Sequence, residues 1–114
     1  MTRYLISFPS AAMDHIPVED FPAVGDAARA VVREIKDAGV YIFSGGLDEE
    51  VGTVMVGGDG AVSAGTYPQT KELNGGFTLI DVPSRDEAVE WAAKIATACR
   101  CAQEVRAFMD DPQA

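Results

Sequence analysis

Two strongly β-forming stretches of this 114-residue chain, Val40-Tyr41-Ile42-Phe43 and Phe77-Thr78-Leu79-Ile80-Asp81-Val82, place large apolar side chains at neighbouring positions as well as alternate ones. Successive side chains of a strand point to opposite faces, so a sheet built from these strands is apolar on both. Tyr41 and Phe43 are expected on one face and Val40 and Ile42 on the other, with Phe77 and Leu79 opposing Ile80 and Val82 in the same way. Two helices cover only one face of such a sheet. A bare second face would exceed the few hundred Å² of apolar patch that a monomer usually tolerates. The expected cover is a second copy of the chain, sheet against sheet about a two-fold axis; a loop folding over the sheet is the alternative.

The remaining elements follow from local periodicity. Residues 3–8 alternate, with Tyr4, Ile6 and Phe8 on one face, and predict the first strand. Pro9 to Pro22 carries three prolines and reads as a connection entering a helix. From Val24 the residues Val24, Ala28, Val31, Ile35 and Ala38 form one helical stripe, which Gly39 ends by permitting a left-handed backbone. A strand over Val40–Phe43 follows, and Gly45-Gly46 is expected to break it. Val51 to Val56 and Ala61 to Ala64 flank Gly57-Gly58-Asp59-Gly60, a hairpin signature. A polar loop, Thr66 to Asn74, leads through Gly75-Gly76 into the strand at Phe77–Val82. Ser84 and Glu87 form a capping box ahead of a second stripe of Ala88, Trp91, Ala92, Ile95 and Cys99, and Gln103 to Met109 predicts the last strand. The order is β, α, β, a hairpin feeding a further β, α, β: one α+β domain over residues 1–114 of ferredoxin-like βαβββαβ type with an antiparallel sheet, and residues 110–114 as a frayed tail.

Charge excludes some partners. The net charge of −9 repels phosphate backbones and anionic membranes, and the nine basic residues are scattered, with Arg29, Arg33 and Lys36 mixed among Glu34 and Asp37 on one helix. Nucleic acid and membrane are therefore not expected partners. No apolar run approaches the roughly 20 residues that span a bilayer. The N-terminus runs straight into a strand without an export signal, so the cytoplasm is the expected location.

A set of short motifs carries a resemblance. Asp37-Ala38-Gly39, Gly45-Gly46-Leu47, Gly65, Thr70-Lys71-Glu72 ahead of Gly75-Gly76-Phe77, Ile80-Asp81-Val82-Pro83 and Glu87-Ala88-Val89-Glu90-Trp91-Ala92 together resemble the YCII-related family, more narrowly its DGPF-motif branch. The resemblance covers nearly the whole chain and implies a dimeric ferredoxin-like α+β barrel. It implies little about chemistry. Some relatives are small lyase- or dehalogenase-type enzymes, others stand beside or are fused to sigma-factor-like regulators, and a His/Asp pair is the catalytic candidate of the shorter members. This chain departs at both places. Ala64-Gly65-Thr66-Tyr67 replaces Asp-Gly-Pro-Phe, and Ala28 stands where the shorter members have the histidine paired with the aspartate matching Asp37.

Few residues remain for catalysis. His15, the single histidine, sits in the proline-bounded loop beside Asp14, where it is either a general base or a solvated side chain. Asp37 is either an acid at a cleft or a simple helix-end carboxylate. Tyr67, Thr70, Lys71 and Glu72 make the densest polar group on a loop: Lys71 to hold a carboxylate, Tyr67 to donate a proton or hydrogen bond, Glu72 to orient Lys71; the alternative is an ordinary surface pair. Cys99 and Cys101 are one residue apart, not at zinc or thioredoxin-like spacing, and read as reduced thiols. No metal and no cofactor are expected. The sequence thus points to a domain binding a small anionic organic molecule in a cleft between sheet, first helix and the Tyr67–Glu72 loop. Lyase, isomerase or dehalogenase-like catalysis is left open. The rival from another class is a non-catalytic dimeric interaction or regulatory module.

Overall fold

The computed structural model describes residues 1–113. Its order is β1 (Thr2–Phe8), two short 3-10 turns (Ser10–Met13 and Val18–Asp20), α1 (Phe21–Asp37), β2 (Tyr41–Gly46), β3 (Val54–Val56), β4 (Val62–Ala64), a 3-10 turn (Pro68–Thr70), β5 (Gly76–Val82), α2 (Arg85–Cys99) and β6 (Glu104–Ala107). Four strands form an antiparallel sheet in the order β2-β5-β1-β6, and β3-β4 is a separate two-stranded hairpin. The fold is mixed α+β. Both helices lie on one face, where Tyr4, Ile6, Ile80 and Val82 of the sheet pack against Val31 and Ile35 of α1 and Ala88, Ala92, Ile95, Ala98 and Cys99 of α2.

The local signals act as their chemistry requires. Ser84 is extended at the start of α2 and its Oγ accepts from the Glu87 amide at 3.2 Å, satisfying one of the free donors of the first turn. Gly39 takes φ +76° just beyond α1. The Gly57–Gly60 segment reverses the chain between β3 and β4, with the Gly57 amide donating to the Ala61 carbonyl at 2.9 Å.

Four expectations are corrected. Helix α1 begins at Phe21 rather than Val24, because Pro22 falls in the first turn, where its missing N–H costs no helical hydrogen bond. Gly45 and Gly46 do not break β2: they stay in the strand, paired with Phe77 and Gly76. The third correction concerns the faces of β2. Tyr41 pairs with Ile80 but Phe43 pairs with Leu79, so a register shift at Ile42 gives the strand one extra residue. Tyr41 consequently joins the helix-side core while Phe43 turns to the opposite face and stays 60 % exposed. The last strand is also shorter than expected, ending at Ala107, and residues 110–113 lie outside helix and strand. Ala114, the end of the expected tail, lies outside the described residues.

The face away from the helices carries Leu5, Phe43 and Leu79 in register, with Arg3 opposite Asp81 and Arg106 opposite Leu5. Among the described residues neither α-helix packs on this face.

Candidate functional site

The glycines at the start of β5 set the geometry of this end of the sheet. A Cβ on Gly75 would meet the carbonyl oxygen of Phe8 and lie 2.8 Å from the carbonyl carbon of Pro9; one on Gly76 would lie 2.6 Å from the Phe8 ring. Their lack of side chains lets the Phe8 ring lie across β5 on the helix side. Beyond that ring, the gap between α1 and the sheet is a cleft of about 370 Å³.

The cleft is mostly apolar. Phe8, Ala28, Val31, Val32 and Ile95 form its walls, and the backbone of Gly45, Gly46 and Gly76 contributes another side. Polar groups are few: Ser44, Thr78, Cys99 and Arg29. Ser44 Oγ is 3.0 Å from the Tyr41 hydroxyl, an arrangement that fixes one hydroxyl at the edge of β2. Burial pushes the Cys99 thiol up to about 11, with neighbouring Cys101 adding to the effect, so Cys99 enters the cleft as a neutral thiol at neutral pH. Cys101 is also raised, chiefly by burial, with a hydrogen bond from Gln103 acting in the opposite direction.

Among the described residues Arg29 is the one charged side chain lining the cleft. It stands one turn after Gly25, whose missing Cβ leaves room for the guanidinium; a Cβ there would lie 3.3 Å from both terminal nitrogens. Arg29 Nη2 donates to Asp26 Oδ1 at 2.6 Å, and both side chains are largely exposed. By sequence alone Arg29 is one of several scattered basic residues. The signal that marks it is a glycine inside a helix, four residues before an arginine on the same face.

With this geometry in view, comparison with known families gives a match to the YCII-related domain over residues 11–110. The chain belongs to the YCII-related family. The match takes in the cleft apart from Phe8, both helices and the loop ahead of β5. It is a family of uncharacterised function. A search of curated proteins finds no match.

The other residues singled out in this YCII-related chain lie apart from the cleft. His15 is exposed in the turn between the two 3-10 turns that precede α1, and Asp37 is exposed at the last position of α1. Neither lines the cleft. Thr70 and Lys71 line a different cavity of about 530 Å³, with Asp48, Glu49, Thr66 and Asn74. Tyr67 is 65 % exposed, and its carbonyl accepts from the Thr70 amide at 3.1 Å and from Thr70 Oγ1 at 3.3 Å. Glu72 is exposed in the turn that follows. The cleft between sheet and α1 and the cavity at Thr70 and Lys71 are thus separate, and Tyr67 and Glu72 line neither. Among the described residues no cluster of three His, Cys, Asp or Glu side chains is placed to hold a metal, and no helix is long and apolar enough to cross a membrane.

Proposed function

We propose that this YCII-related chain is a small-molecule-binding domain whose ligand enters the cleft between α1 and the sheet. The observation that carries the reading is the cleft itself: about 370 Å³, walled by Phe8, Ala28, Val31, Val32 and Ile95, with few polar groups. That combination of size, apolar lining and sparse polar groups is what small organic ligands use. Binding without catalysis is the better reading. Proton transfer needs a titratable group within hydrogen-bond reach of the ligand; His15, Asp37 and Tyr67 do not line the cleft, and Cys99, which does, is held by burial as a neutral thiol.

A thermal-shift screen of small metabolites, including carboxylates and lactones, tests the reading, since a ligand that binds the native state raises the melting temperature. The expected result is at least one hit that Ala28→Phe, which fills the cleft, abolishes in a variant with unchanged circular dichroism. An empty screen, or hits indifferent to Ala28→Phe, counts against it.

The proposal extends to the architecture and its setting. With the β3-β4 hairpin set aside, the order β2-β5-β1-β6 has the first and third strands of a βαββαβ unit at its centre, which supports a ferredoxin-like arrangement; a place in the DGPF branch rests on the motif resemblance alone. A homodimer through the open sheet face is supported by the exposure of Phe43 and Phe108. Free Cys99 and Cys101 are in keeping with a reducing, cytoplasmic setting.

Two further readings have their own support. The cavity at Thr70 and Lys71 is a second anion-binding candidate, with Tyr67 and Glu72 on the same loop, although Asp48 and Glu49 in its wall oppose a negative ligand. The open apolar sheet face favours a dimeric interaction module.

A further inference from the structure

Resting on the reading of the α1 cleft as a ligand site, we infer that its ligand is a monocarboxylate with an apolar body, held by Arg29 in exchange for Asp26. The charge pattern selects this class. The walls give a hydrophobic body a place to leave water, and a single guanidinium stands at the mouth. A cationic ligand would face Arg29 with no carboxylate lining the cleft. A phosphate or dicarboxylate would bring two negative charges to one arginine on a chain of net charge −9. One carboxylate matches both the charge and the planar donor fork of a guanidinium.

The local geometry supplies the exchange. Arg29 is held by a single exposed partner, Asp26 Oδ1 at 2.6 Å, three residues earlier on the same helix. An exposed pair of that kind is weak and opens readily. Gly25 leaves the guanidinium without a side chain beneath it, so it can turn between Asp26 and the cleft mouth. Arg33, one turn further along α1, is exposed and does not line the cleft. The ligand carboxylate therefore competes with one named carboxylate, and that competition can be measured.

The test is a 1H–15N chemical-shift titration with benzoate and hexanoate, against neutral benzamide and cationic benzylamine, on the wild type and three variants. The two carboxylates should bind and shift amides of α1, β2 and β5, while benzamide and benzylamine bind at least about tenfold more weakly. Arg29→Gln should weaken carboxylates by about tenfold and leave benzamide unchanged. Asp26→Asn should tighten carboxylates roughly twofold to fivefold by removing the competitor, an effect that a merely structural Arg29–Asp26 pair would not produce. Both sites are exposed helix positions, so folding is not at stake. Ala28→Phe should remove all binding. Benzamide equal to benzoate, with both lost in Ala28→Phe, overturns the carboxylate assignment and keeps the cleft. Benzoate binding untouched by Arg29→Gln overturns it as well, as does no binding by either carboxylate. Binding that survives Ala28→Phe overturns the cleft reading itself.

Discussion

Gly75 lies so close to Phe8 that a Cβ on it would run into the Phe8 carbonyl oxygen. The neighbouring atoms are backbone, from Phe8, Pro9 and Ser10, and cannot move aside as a flexible side chain would. Gly75→Ala is expected to lower stability by about 1–3 kcal/mol through overpacking. Gly39, at φ +76° with nothing within 4 Å, provides the comparison: Gly39→Ala should cost only the backbone term, about 1 kcal/mol. Urea denaturation of the two variants measures the difference, and equal losses would contradict the steric account.

Asn74 ties three loops together. Its Oδ1 accepts from the Ser10 amide at 3.0 Å, its Nδ2 donates to Glu49 Oε1 at 3.1 Å, and Ser10 Oγ donates to Glu49 Oε2 at 2.8 Å. Asn74→Ala should cost about 1–2 kcal/mol. It should also speed amide exchange in residues 48–52, which that bracket holds against the sheet end. Exchange rates unchanged from wild type would show that the bracket does not restrain this loop.

Cys99 predicts an alkaline weakness. Its thiol is raised from an ordinary value of 9.0 to about 11 in the folded chain, so between those values the folded state holds more protons than the unfolded one. Stability from this source is present below about pH 9 and is lost as pH rises through about 11. Urea-unfolding free energies from pH 8 to 11 should fall more steeply for the wild type than for Cys99→Ala. Parallel slopes would remove Cys99 as the cause.

The open sheet face predicts the assembly state. Phe43 is 60 % and Phe108 46 % exposed in the single chain. Light scattering after gel filtration at micromolar concentration should give a dimer for the wild type and a monomer, with unchanged circular dichroism, for Phe43→Asp. A monomeric wild type would leave this face to another partner.

Much of the local structure was legible because its causes lie within a few residues. Ser84 caps the helix it precedes, Gly39 ends the helix it follows, and Gly57–Gly60 turns the hairpin it connects. The earlier start of α1 has a local cause in Pro22, but the departures in β2 arise from partners distant in sequence. Ile42 becomes the extra residue of β2 only because Tyr41 and Phe43 pair with Ile80 and Leu79 across the sheet. Gly45 and Gly46 remain in a strand because Phe77 and Gly76 pair with them and the Leu47 amide donates to Gly75 at 2.9 Å.

The candidate site was harder to see for the same reason. The polar residues of Tyr67–Glu72 are dense along the chain and so visible in sequence, whereas the cleft is assembled from Phe8, Arg29, Ser44, Thr78 and Cys99, contributed by five separate elements. Periodicity and turn chemistry by themselves determined the number of helices, the hairpin and the apolar side chains that lie on each face of the sheet. Only the tertiary structure decided which aromatic of β2 faces the helices, why Gly75 and Gly76 carry no side chain, and that Arg29 stands at the mouth of a cavity. Apolar stripes and turns are set by neighbours along the chain, but a cavity is defined by surfaces that meet only after the sheet has paired.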